Sequence, residues 1–126
     1  MNKVFVYGTL RKGEKNHYLL KESVCLSDNC WVFGELHDTG YGYPVLKPST
    51  ISKVIGEVYE VNDEILQRLD VLEGYTEGSQ SNLYERICQV VYQDGPFTEA
   101  FVYVTGSHLQ ERNHKIESGD WKTYRK

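Results

Sequence analysis

Residues 54–74 read VIGEVYEVNDEILQRLDVLEG, a strand pattern that runs straight into a capped helix. The first part, 54–61, is rich enough in β-branched and aromatic residues for a strand. Gly56 inside it marks a bulge or a close approach of another backbone. Asn62 is a good N-cap, Asp63 and Glu64 suit the positive end of a helix, and Gly74 supplies a stop. The spacing predicts a helix over 63–73 with Ile65, Leu66, Leu69 and Leu72 as its buried stripe.

Glu73 does not belong in such a stripe. With Ile65 at zero and about 100° per residue, Leu69 falls near ~40°, Leu72 near ~340° and Leu66 near ~100°, and Glu73 falls near ~80°, inside the apolar arc. A carboxylate there loses hydration and sits at the negative end of the helix. Both effects disfavour its charged form and raise its pKa, as general-base chemistry near neutral pH requires. The alternative is a frayed last turn with Glu73 in water.

Outward from this unit the chain alternates short strands and turns. Residues 3–7, KVFVY, form an apolar run cut off by Gly8, a strand ending in a turn. His17–Lys21 suits a short helix, and 30–36, CWVFGEL, a second strand. The glycines and Pro44 in 39–49 predict a loop with one short extended piece. Residues 84–93 and 99–104 pair as strands across the Asp94-Gly95-Pro96 turn. The tail from Ser107 to Lys126 is polar and without periodicity, with Trp121 and Tyr124 as candidate anchors. The pattern is α+β: a curled, mostly antiparallel sheet or small barrel with a helix packed on it.

Composition bounds what such a chain does. Its 126 residues fit one domain, 1–126, and no repeat, linker or low-complexity tract divides it. No apolar run approaches the ~20 residues of a membrane span, and MNKVFVYG opens without an export signal. Cys25, Cys30 and Cys88 are odd in number and lack a C-x-x-C spacing, which with the missing signal points to reduced thiols and a cytoplasmic protein. Fourteen basic against eighteen acidic residues give a net charge of −4, with no general pull toward nucleic acid or anionic lipid. The ten tyrosines then read as core and pocket residues rather than as base-stacking platforms.

Few motifs carry chemistry. Val6 to Gly13, VYGTLRKG, is a strand breaking at a glycine, where successive backbone N–H groups form a nest for a carboxylate or phosphate. Arg11 and Lys12 are expected to add positive potential to it. His17, His37, His108 and His114 have no metal-ligand spacing. Gly40-Tyr41-Gly42 lacks the third glycine of a dinucleotide fingerprint, and neither a phosphate-binding P-loop nor a G-x-S-x-G elbow is present. No metal or cofactor is expected.

VFVYGTLRKGEKNH at 4–17, VIGEVYEV at 54–61, LDVLEGY at 69–75 followed by LYER at 83–86, and SGDW at 118–121 together resemble the gamma-glutamylcyclotransferase-like family. The resemblance is closest to its gamma-glutamylamine cyclotransferase branch and the bacterial proteins similar to it. It implies a small mixed β-barrel with flanking helices, and a gamma-glutamyl compound as the small-molecule partner. It also implies that the turn Tyr7, Gly8, Thr9 and Leu10 binds the glutamyl group and that Glu73 is the catalytic acid/base. The loop between Glu73 and Tyr84 varies most among such proteins, so the leaving-group side of the pocket does not carry over. Three other readings stand beside cyclisation: a barrel of the same fold that binds a small ligand or partner without chemistry, a single-strand nucleic-acid binder using exposed tyrosines, and, within the enzyme class, deprotection of a gamma-glutamylated biosynthetic intermediate.

Overall fold

The computed structural model describes residues 1–106 and 114–125, so His108 and the start of the polar tail lie outside the described residues. In chain order come β1 (Asn2–Val6), a 3₁₀ turn (His17–Leu20), β2 (Val24–Phe33), β3 (Glu35–Asp38), β4 (Pro44–Lys47) and β5 (Lys53–Val61). They are followed by α1 (Asp63–Leu72), β6 (Tyr84–Gln93), β7 (Thr98–Thr105), β8 (His114–Lys115) and α2 (Trp121–Arg125). Strands β1, β5, β2, β6 and β7 close into a barrel in that order, and β4, β3 and β8 form a second small sheet. The β1–β7 pairing that closes the barrel is parallel and the other barrel pairings are antiparallel. This is the small mixed barrel that the sequence pattern and the resemblance lead one to expect.

The unbroken apolar run of β1 follows from burial on both faces. Phe5 packs with Val32, Val54, Val58, Val91 and Val102 from the other barrel strands, in a cluster that also takes in Leu36, Leu46 and Trp121. Val4 and Val6, on the opposite face, pack with Ile65, Leu66 and Leu69 of α1. Gly56 lies where β5 passes β1, and a Cβ there would collide with Val6 O and the Phe5 ring. The close backbone approach expected at this glycine is therefore real.

α1 is capped as expected, with Asn62 Oδ1 accepting from Ile65 N–H at 2.8 Å. It stops one residue earlier than the spacing predicts: Glu73 is its C-cap, and Gly74 takes a φ of +64° that suits glycine. Leu72 departs from the stripe. It is 38% exposed, and its side chain borders a cavity instead of the core.

Two stretches differ from the sequence pattern. β2 begins at Val24 rather than Cys30, and its first half was illegible because register shifts between Cys25 and Ser27 and between Ser27 and Cys30 destroy the alternation. The run 30–36 splits at Gly34, where a Cβ would lie 2.9 Å from Leu46 and where the chain leaves the barrel for the second sheet. The described part of the tail is also more ordered than its composition suggests, forming β8 and α2 and burying Trp121 to 2% exposure. Tyr124 donates to Asp38 Oδ2 at 2.7 Å, so both proposed anchors hold.

Candidate active site

β1 ends against a turn that its own sequence shapes. Arg11 N–H donates to Gly8 O at 3.0 Å, Asn16 N–H to Thr9 O at 2.9 Å and Asn16 Nδ2 to Thr9 Oγ1 at 2.9 Å. His17 Nδ1 lies 2.9 Å from Leu10 O. These bonds engage the carbonyls of the turn. Among the described residues, the N–H groups of Gly8, Thr9 and Leu10 donate to no turn or loop acceptor, which leaves the donors of a nest available. Gly8 is required by packing: a Cβ there would sit 2.6 Å from Pro44 Cγ.

Tyr7, Gly8, Thr9 and Leu10 all border a cavity of about 460 Å³, and Glu73 borders the same cavity. The helix C-cap puts Glu73 there. Its N–H donates to Leu69 O at 2.9 Å and its carbonyl accepts from Tyr84 N–H at 3.2 Å, so the backbone is held at both ends. Among the described residues its carboxyl has no hydrogen-bonding or ion-pair partner, and burial pushes its pKa up to about 8. The frayed, water-facing alternative is not what this chain adopts.

Four tyrosines wall the cavity: Tyr7, Tyr43, Tyr84 and Tyr103. Burial, then the nearby Glu73 charge, holds the Tyr7 phenol well above its ordinary pKa. Burial likewise raises Tyr84 and Tyr103. Three hydroxyl protons are already committed: Tyr7 donates to Tyr103 O, Tyr84 to Pro44 O at 2.6 Å, and Tyr103 to Asp70 Oδ1 at 2.6 Å. Asp70 is in turn held by Arg86 Nη1 at 2.7 Å. These phenols are neutral acceptors toward a ligand, and among the described residues the one carboxyl of the wall is that of Glu73.

The structure corrects the expectation that Arg11 and Lys12 charge the nest, because neither borders the cavity. Arg11 is buried behind the turn, with Nε 2.9 Å from Glu57 Oε2 and Nη1 2.9 Å from Asp120 Oδ1. Glu57, 2% exposed, also accepts from Lys12 N–H at 3.0 Å and from Tyr59 Oη–H at 2.8 Å. The SGDW segment forms the other half of this clasp. Gly119 O accepts from Ile55 N–H, Asp120 Oδ1 also receives Lys122 and Thr123 N–H, and Trp121 Nε1 donates to Glu14 Oε1 at 3.1 Å.

The sequence pattern did not single out Lys15, Asn16, Pro44, Leu72 or Leu83 as wall residues, and it left the tyrosines undivided between core and pocket. Lys15 and Asn16 stand two and three residues past the nest motif, and the others are brought in by register and loop packing. Among the described residues, no three His, Cys, Asp or Glu side chains gather as a metal site, and no helix is long and apolar enough to cross a membrane.

The sequence and the barrel fold both recur in known proteins. The family model described as gamma-glutamyl cyclotransferase, AIG2-like, matches residues 4–123. The gamma-L-glutamyl-butirosin B gamma-glutamyl cyclotransferase of Niallia circulans is 44% identical over 128 residues, covering 99% of this chain and 78% of that protein. The crystal structure of PH0828 from Pyrococcus horikoshii superposes with a TM-score of 0.76 at 30% identity, covering 99% of this chain and 93% of that one. An AIG2-like protein from Mus musculus gives a TM-score of 0.71 at 25% identity, covering 96% and 88% of the two chains. With a match spanning nearly its whole length, in sequence and in fold, the chain belongs to the gamma-glutamyl cyclotransferase, AIG2-like family.

Proposed function

We propose that this protein is a gamma-glutamyl cyclotransferase that releases 5-oxoproline and a free amine or amino acid from a gamma-glutamyl compound. The observation that carries the reading is a carboxyl with a pKa raised to about 8 sharing one cavity with a turn whose N–H groups donate to no turn or loop acceptor among the described residues. The substrate's α-amine attacks its own γ-carbonyl, forming the ring C–N bond, and the amide C–N bond to the leaving amine then breaks. The α-ammonium loses two protons on its way to the ring N–H. Glu73 takes the first to free the attacking amine and passes it to the departing nitrogen. The second, shed once the ring C–N bond has formed, leaves by the same carboxylate, so that the amine departs as an ammonium. The N–H groups of Gly8, Thr9 and Leu10 hold the α-carboxylate and the developing oxyanion. Attacker and target share one molecule, so freezing a productive conformer supplies much of the acceleration; well-oriented intramolecular reactions gain about 7–11 kcal/mol this way. The reaction calls for no metal, nucleotide or covalent intermediate.

The test is 5-oxoproline release by the purified protein from a panel of gamma-glutamyl amines, gamma-glutamyl dipeptides and gamma-L-glutamyl-butirosin B, the compound named for the Niallia circulans relative. Release from one or more of them, persisting in the presence of a chelator, is the expected result. Tight binding without release across the panel would instead favour a ligand-binding barrel.

A further inference from the structure

The turn after β1 carries three basic side chains, and the protein itself neutralises two of them. Arg11 is turned away from the cavity onto Glu57 and Asp120. Lys12 reaches Asp28 Oδ2 at 3.4 Å. The third, Lys15, has no ion-pair partner among the described residues, and it borders the cavity. Its Nζ lies at the rim beside Gly42, where a Cβ would stand 3.8 Å from it. The two hydrogen bonds that tie Asn16 to Thr9 keep the neighbouring Lys15 close to the nest.

Among the described residues no other cationic side chain borders this cavity, and Glu73 is the single anionic one. With its pKa near 8, Glu73 is mostly protonated at neutral pH. A chain of net charge −4 therefore presents a locally positive pocket. Lys15 itself is an exposed residue at the rim, with Tyr43, Leu72, Leu83 and Tyr84 in the wall of the same cavity. Backbone N–H donors next to a lone ammonium are the complement of a carboxylate.

We propose that Lys15 is a substrate-recognition residue whose ammonium pairs with a carboxylate of the substrate beside the Gly8–Leu10 nest. The assignment rests on the glutamyl reading of the cavity. Two carboxylates present the same chemistry: the α-carboxylate of the glutamyl group, and the carboxylate of an amino acid that leaves.

Steady-state kinetics of the parent, Lys15→Met and Lys15→Arg on three compounds separate them. Gamma-glutamyl-alanine carries both carboxylates, gamma-glutamyl-ethylamine lacks the one on the leaving group, and the α-carboxamide of gamma-glutamyl-alanine lacks the glutamyl one. For gamma-glutamyl-alanine, Lys15→Met should raise KM by about tenfold to a hundredfold, the range of a charge-assisted hydrogen bond, with kcat nearly unchanged and recovery in Lys15→Arg. A penalty that persists on the ethylamine and vanishes on the carboxamide assigns the glutamyl carboxylate; the reverse assigns the leaving group. An equal penalty on all three compounds, or none, overturns the proposal.

Binding measured without turnover keeps the two readings apart. Calorimetric titration of gamma-glutamyl-alanine into Glu73→Gln and into Glu73→Gln/Lys15→Met should show the same loss in Kd. If that loss appears while the parent releases no 5-oxoproline, cyclisation fails and Lys15 stands. If the parent turns over and Lys15→Met leaves KM and Kd unchanged, Lys15 fails and cyclisation stands, whereas no binding at all overturns both.

Discussion

At the scale of single residues, Glu73 sets a conflict between stability and ionisation. Its carboxyl has an ordinary value of 4.5 and is pushed by burial to about 8 in the fold. Below about pH 4.5 both the folded and unfolded chains hold this proton, and it costs nothing. Between 4.5 and 8 the folded chain binds more protons than the unfolded one, so the contribution of Glu73 to stability falls as pH rises, and above about 8 the full penalty applies. Glu73→Gln removes the penalty. Thermal melts of parent and variant should coincide near pH 4 and diverge toward pH 9, with the variant melting higher. On the same samples 5-oxoproline release should fall by ~10²–10⁴-fold; a fully active variant would sink the catalytic role. A base must be ionised to act, so kcat/KM of the parent should climb with pH to a limb near 8, a limb absent from the residual rate of Glu73→Gln. Glu73 was legible in the sequence because helical periodicity alone puts it on the apolar arc. The tyrosines around it come from a loop, two strand ends and a strand centre, and only register brings them together.

At the scale of elements, the nest is a product of two segments, and Pro44 at the start of β4 limits what Gly8 can become. Gly8→Val should displace that contact or bend the turn, lowering the melting temperature and abolishing binding of gamma-glutamyl-alanine in calorimetry. A variant that melted and bound like the parent would remove the turn from the site. The best-read elements, β5 and α1, announce themselves through local chemistry, with a cap, a periodic stripe and a terminal glycine. α2 carried no such signal, because five residues cannot hold a helix alone. It forms because Asp120 caps it and Trp121 is buried, both of them consequences of contacts distant in sequence.

At the scale of the molecule, the Arg11 clasp ties the nest turn to β5 and to the C-terminal segment. Its members bear unequal loads. Glu57 is buried and receives three hydrogen bonds, whereas Asp120 is partly exposed and shares its charge with the α2 backbone. Breaking a buried pair typically costs about 3–5 kcal/mol, so Glu57→Gln should depress the melting temperature well beyond Asp120→Asn, as parallel thermal melts will show. The barrel seam has a dynamic consequence. β1 and β7 meet in parallel at Val4 and Phe101, Lys3 Nζ reaches Thr98 Oγ1 at 2.8 Å, and Tyr7 donates to Tyr103 O across the same line. Breathing of the barrel along this seam would take the cavity wall apart with it, because Tyr7 and Tyr103 belong to both. A ligand that bridges the nest and the tyrosine wall therefore acts as a stitch: saturating gamma-glutamyl-alanine on Glu73→Gln should slow amide hydrogen exchange at Val4 and Phe101 while leaving the far β2–β6 pairing unaltered.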